Sequence, residues 1–94
     1  MKQFQCPVRD ENGMHARPAG ALSNLAKQFS SEVRVRCGQR DANAKRLISL
    51  MSLGAKAGEM LEFEIVGKDE EAASDAIWKL LTQSDGERKD EGRV

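Results

Sequence analysis

Leu61, Phe63 and Ile65 alternate with Glu62 and Glu64, and Val33, Val35 and Cys37 alternate with Glu32, Arg34 and Arg36. A two-residue period puts every apolar side chain of a run on one face, so each run predicts a strand buried on one side and wet on the other. Elsewhere the period changes. Ala19, Leu22, Leu25, Ala26 and Phe29 recur at helical spacing between Ala16 and Ser30, and Leu47, Leu50 and Met51 share one face of a short helix that Gly54 should stop. A last helix carries the stripe Ala72, Ala76, Ile77, Leu80 and Leu81, with Asp69 as its N-cap. Phe4, Cys6 and Val8 predict a first strand at residues 2–8, and Gly38-Gln39 a hairpin into a short strand from Arg40 to Asn43.

The resulting order, β-α-β-β-α-β-α, predicts a two-layer α+β domain with its helices on one face of an antiparallel sheet. Two topologies compete. A ferredoxin-like arrangement puts the first strand inside the sheet, where Pro7 would forfeit a ladder hydrogen bond; an arrangement with that strand at the edge tolerates it. Pro7 tips the choice towards the edge. Residues 1–83 hold all of these elements, whereas residues 84–94, SDGERKDEGRV, have no apolar side chain before the final valine and read as a charged flexible tail or a linker.

Composition excludes several functions. Fifteen basic and fifteen acidic residues cancel, and with no tyrosine, three phenylalanines and one tryptophan there is neither a basic excess nor a stacking platform for nucleic acid. Cys6 and Cys37 form no CxxC pair, and a single histidine cannot complete a zinc set, so no metal or other cofactor is expected and the cysteines serve as small apolar fillers. No run approaches the roughly 20 apolar residues of a membrane span. The N-terminal MKQFQCPV is too polar for a secretory signal. The chain reads as cytoplasmic, reduced and without membrane insertion.

The only histidine, His15, stands in NGMHARPAG, after the Gly13 turn of DENG and before a helix. Pro18 suits a first turn, whose N–H groups lack partners anyway, and biases Arg17 away from the helical region, so the helix begins at Ala16 or at Pro18. In either case His15 lies over the positive end of the helix dipole, which attracts anions and disfavours imidazolium. Were a ring nitrogen to take a phosphoryl group, backbone N–H groups and the Arg17 guanidinium could meet the added charge. Ala16, Ala19 and Gly20 leave the surroundings open to a protein partner. A polar cap and an inert surface histidine fit the same residues. A hydrolase fits poorly, because both cysteines lie in predicted strands and no Asp–His pairing is suggested.

GMHARPAG and the later segment NAKRLISLMSLGAKAGE, Asn43 to Glu59, together resemble HPr, the histidine-containing phosphocarrier family of the bacterial phosphoenolpyruvate:sugar phosphotransferase system. The likeness runs from about Lys2 to Leu81. It implies an open-faced β-sandwich with sheet order 1-4-2-3. It also implies that His15 is phosphorylated on Nδ1 by enzyme I, which draws on phosphoenolpyruvate, and passes the group to a histidine of an enzyme IIA domain. Arg17 then supports phosphohistidine, and Asn12, Gly13, Ala16 and Pro18 form the supporting turn. Gly20, Asn24, Lys27, Leu47, Ile48, Met51 and Ser52 become the partner surface, with Gly20, often alanine in relatives, contributing only backbone. Helix geometry alone equally allows Leu47 and Met51 to be core, and Lys27 and Lys45 to be either solvated or a basic rim suited to an acidic partner. Arg46 stands where many relatives carry a regulatory serine, so that switch should be absent here. Trp78 lies off the last helix's stripe, free for the tail, a neighbouring domain or solvent.

The expectation is a monomeric carrier that turns over no substrate by itself. A regulatory paralogue, a domain of a fused multiphosphoryl carrier, an adaptor binding a regulatory protein through the same surface, and a small-molecule-binding regulatory domain are the alternatives.

Overall fold

The computed structural model describes residues 1–83; the predicted tail, residues 84–94, lies outside the described residues. The elements follow as β1 (Lys2–Pro7), α1 (Ala16–Ala26), β2 (Glu32–Cys37), β3 (Arg40–Asn43), α2 (Leu47–Ser52), β4 (Met60–Val66) and α3 (Glu70–Gln83). The four strands form one antiparallel sheet in the order β1-β4-β2-β3. Pro7 therefore sits on an edge strand, at its last residue opposite Met60, and the ferredoxin-like alternative is excluded.

Register explains the core. Phe4 and Val35 both face Phe63 across the central β4, and Cys6 faces Leu61, so one side of the sheet is a continuous apolar surface. Leu61, Phe63, Ile65, Val33 and Val35 are all buried, and Phe4 stacks on Phe63 with ring centroids 4.8 Å apart. Against this side pack Ala19, Leu22 and Ala26 of α1, Leu50 and Leu53 from α2 and its end, and Ala73 and Ile77 of α3. Gln3, Gln5, Arg34, Arg36, Glu62 and Glu64 point the other way into solvent. Cys6 and Cys37 are buried free thiols, the role expected of them, and burial raises both above the usual thiol range.

Several details depart from the periodicity. β1 stops at Pro7, and α1 stops at Ala26 rather than running on to Ser30. In α3 the buried side is Ala73 and Ile77, with Leu80 and Leu81 half-buried, while Ala72 is exposed. At about 100° per residue Ala72 stands a quarter-turn from Ala73, and small alanines on both sides left the direction of the face open. Asp69 does not spend its carboxylate as the cap of α3. It crosses to the loop after α1, accepting the backbone N–H groups of Ser30 and Ser31 at 2.9 Å each and the Ser31 hydroxyl. Ser31 is a buried polar residue, so this bridge satisfies groups that would otherwise be stranded. Trp78 meets Phe4 edge-on at 5.4 Å and is 45% exposed.

The loop that carries His15 is held by the segment after α2. Val8 donates its N–H to Glu59 O and accepts from Gly58 N–H, so pairing continues past Pro7. Met14 N–H then donates to Ala55 O at 2.9 Å, and the Met14 side chain is buried. Gly13 makes this approach possible. Its φ of 77° is costly for any residue with a Cβ, and a Cβ there would lie 2.5 Å from Ala55 O. Gly54, which ends the short helix as expected, also has positive φ.

Two expectations follow. Gly13→Ala should lower stability by about 2 kcal/mol, combining left-handed strain with the clash, as measured by urea denaturation; an unchanged midpoint would show that the loop can move away from Ala55 freely. The Ser30 and Ser31 donors hold the Asp69 carboxyl at about 2, below its unfolded value. Its contribution is thus present above about pH 4 and lost as pH falls through 2. Thermal midpoints of wild type should drop across that interval more steeply than those of Asp69→Asn.

Candidate functional site

α1 begins at Ala16, with His15 as its extended N-cap residue (φ −85°, ψ −171°), which decides between the two starts the sequence allowed. Arg17 is helical in spite of the bias from Pro18, which occupies the third helical position. His15 O accepts Ala19 N–H at 3.0 Å, so the backbone is committed to the helix, yet the imidazole makes no capping hydrogen bond. The N–H groups of Ala16 and Arg17 stand in the first turn, where helix geometry provides no acceptor, and Pro18 has none to offer. The imidazole and the first-turn main-chain donors therefore share one end of the helix, and Arg17, exposed in the same turn, lies near enough to Asp10 to act on its charge.

The ring itself is gripped from one side. His15 Nε2 lies 3.3 Å from Asp10 Oδ2, each side chain being a little over one-third exposed. Asp10 Oδ1 accepts the Asn12 N–H at 2.8 Å and Asp10 O accepts the Gly13 N–H at 2.9 Å, so the carboxylate belongs to a closed turn. That Asn12 donor, ahead of the nearby His15 and Arg17, holds the Asp10 carboxyl below the usual carboxylate range. Among the described residues Nδ1 has no partner. No aspartate was expected to pair with His15, and this contact is the one that sequence reasoning missed. The available signal was the Asx turn hidden in DENG: Asp10 two residues before Asn12 fixes the carboxylate direction.

The remaining residues assigned from the resemblance fall into two groups. Asn12, Gly13, Ala16 and Pro18 all lie in the loop or first turn around His15. Ile48 is 73% exposed, and Leu47 and Met51 are also exposed, so of the apolar face predicted for α2 only Leu50 is buried. Leu50 and Leu53 are the residues that reach the core. The direction midway between them leaves Ile48 opposite and Leu47 with Met51 to one side, at about 100° per residue. Ser52, Asn24 and Lys27 are exposed and Gly20 is half-buried, with open space where an alanine Cβ would stand. α1 packs on α2, and Ser23, which is buried, donates its hydroxyl to Lys45 O at 3.1 Å between them. The half-buried Lys45 donates from its ammonium to Phe29 O at 2.8 Å beyond the end of α1. Arg46 is the N-cap residue of α2 and exposed.

A groove of about 330 Å³ lies on the open sheet face between Gln3, Gln5, Arg34, Arg36, Glu62 and Glu64. None of the residues around it belongs to the His15 loop. Among the described residues no group of three His, Cys, Asp or Glu could hold a metal ion, and no helix is long and apolar enough to cross a membrane.

Comparison with known proteins agrees with this geometry. A family model, the PTS HPr component phosphorylation site, matches residues 2–83. Phosphocarrier protein HPr of Lysinibacillus sphaericus is 39% identical over 83 residues, covering 88% of this chain and 94% of that protein. Its counterpart in Mycoplasma genitalium is 41% identical over 85 residues, covering 89% and 97%. The multiphosphoryl transfer protein of Salmonella typhimurium is 40% identical over 83 residues, but these are only 22% of its length. The crystal structure of HPr-C-His from Thermoanaerobacter tengcongensis superposes with a TM-score of 0.86 at 34% identity, covering 92% of this chain and 97% of that one. With fold order, histidine-bearing helix start and relatives in accord, the chain belongs to the HPr family of phosphocarriers of the phosphotransferase system.

Proposed function

We propose that His15 takes a phosphoryl group from phosphorylated enzyme I through Nδ1 and hands it to a histidine of an enzyme IIA domain. The observation that supports this most is the exposed helix start, where an imidazole whose Nδ1 has no partner among the described residues occupies the N-cap position, followed in the first turn by Ala16 and Arg17. In the transfer, the Nδ1 lone pair forms the new P–N bond while the donor's bond to phosphorus breaks and its electron pair returns to the donor nitrogen. Little covalent work falls to the protein, so in-line positioning and charge compensation supply most of the acceleration. Arg17 meets the incoming oxygens with charge-assisted hydrogen bonds. The shallow setting keeps the group available to the next protein.

Leu47, Ile48 and Met51 form the apolar centre of the docking surface, flanked by Gly20, Asn24, Lys27 and Ser52; an apolar centre with a polar rim is the usual anatomy of a transient interface. Arg46 places a cation rather than a phosphorylatable hydroxyl at the start of α2, so the serine switch of other carriers is absent in that form. The carrier acts as a cytoplasmic monomer without independent turnover. The relatives do not favour the regulatory or adaptor alternatives.

Incubation with phosphoenolpyruvate, enzyme I and magnesium should add one acid-labile, base-stable phosphate to the wild type and none to His15→Ala. Equal labelling of that variant would remove His15 from the reaction. Arg17→Glu should slow transfer by about 100-fold with the thermal midpoint unchanged; an unaltered rate would make its charge idle. Ile48→Asp should raise the KM for enzyme I by about tenfold without loss of folding. An unaltered KM would take Ile48 out of the contact.

A further inference from the structure

Three features of the molecule are not used by the reading above: the polar groove on the open sheet, the Trp78–Phe4 contact at the sheet edge, and Asp10. The first is lined by charges of both signs that answer one another across the strands, as Arg34 does Asp41 at 3.2 Å, and the second packs within the chain itself. Asp10 is, among the described residues, the one in polar contact with the His15 ring.

Resting on the carrier reading, we infer that Asp10 is a positioning residue for His15, its carboxylate directing the imidazole so that Nε2 keeps the proton and Nδ1 presents its lone pair to phosphorus. A neutral imidazole has one N–H and one lone pair, and an ionised carboxylate can only accept. With Asp10 Oδ2 3.3 Å from Nε2, the arrangement that gains is the one with hydrogen on Nε2. The carboxylate cannot swing aside cheaply, because Oδ1 is already engaged by the Asn12 N–H and the adjoining main chain by Gly13. The loop is fixed in turn by Met14 N–H on Ala55 O.

The same contact gains strength during transfer. When Nδ1 gives its pair to phosphorus and the donor nitrogen leaves with its own, the ring retains the Nε2 proton and acquires imidazolium character. A carboxylate beside that proton meets the new positive charge, and a contact that is long in the resting protein can tighten as the charge develops. This is the division of labour between aspartate and histidine in a serine protease triad, where the carboxylate selects the tautomer and stabilises the charged ring without taking its proton. In passing the group on, the Nε2 proton kept beside the carboxylate makes the nitrogen that leaves phosphorus part of a neutral imidazole rather than an imidazolate, so Asp10 serves both halves. Asp10 also lies near enough to Arg17 to feel its charge, which limits the repulsion between carboxylate and phosphoryl oxygens.

Asp10→Asn retains an oxygen for the Asn12 N–H but loses the charge, and Asp10→Ala removes both. At a pH where the ring is neutral, the side-chain ¹⁵N resonances of wild-type His15 should show a protonated Nε2 and an unprotonated Nδ1. In both variants the two resonances should move towards each other as the second tautomer becomes populated. In single-turnover transfer, Asp10→Asn should lower the rate at saturating enzyme I by about tenfold, and the rate of donation to enzyme IIA similarly, with the enzyme I concentration for half-saturation unchanged. An unchanged saturating rate overturns the inference whatever the resonances do. So does a loss confined to half-saturation, which would make Asp10 a docking contact, and so do ¹⁵N shifts identical in all three proteins. If wild-type protein took no label, the carrier reading would fall instead, and the resonances would still decide whether Asp10 sets the tautomer.

Discussion

Closure of the loop from Asp10 to Met14 on the segment after α2 governs where everything functional can stand. The approach is so close that Gly13 has no room for a Cβ, and the Met14 N–H reaches the Ala55 carbonyl across the gap. On the other flank, Val8 pairs in both directions with Gly58 and Glu59, carrying the register of β1 and β4 beyond Pro7. Two main-chain anchors therefore clamp a loop whose next residue must expose a reactive ring. Exposure alone would leave His15 mobile; anchored on the backbone either side, it is presented in a fixed direction. A site on a loop becomes as defined as the sheet that grips it.

The same loop balances charge at the ring. In the proposed transfer an incoming phosphoryl group adds about two negative charges, which the helix start and Arg17 would meet. Asp10 contributes charge of the opposite sense on the far nitrogen. These effects suit a carrier, since a site that bound phosphate deeply would not release it. A half-exposed ring with one guanidinium nearby stabilises the group moderately, and a docking partner can exceed that. On α2, which packs on α1, the exposed Leu47, Ile48 and Met51 supply apolar area that the core did not require.

The strands were legible because a two-residue period has only two outcomes, and the acidic and basic residues between the apolar ones declared which side was wet. The edge position of β1 followed from one missing N–H, that of Pro7. Helix faces were less secure. In α2 a span of two turns gave three apolar residues on a plausible stripe, yet the sheet and α1 accept only Leu50 and Leu53. In α3 the alanines fitted either direction, and Ile77 with the half-buried Leu80 and Leu81 chose Ala73. Asp69 shows the limit of local reasoning. Its position before a helix suggested a cap, while the buried Ser31 on another segment held stronger claims on its oxygens.

What the amino-acid order determined by itself was the alternation that makes four half-buried strands, the glycine that permits a left-handed turn, and a lone histidine placed next to a helix start with an arginine two residues on. These are properties of neighbours along the chain, set by backbone sterics and side-chain period. Tertiary structure decided which helix residues face inward, which carboxylate serves which donor, and that Asp10 stands against Nε2 while no described residue engages Nδ1. Those outcomes depend on directions in space, fixed only when the Gly13 loop closes on Ala55 and the sheet has chosen its register.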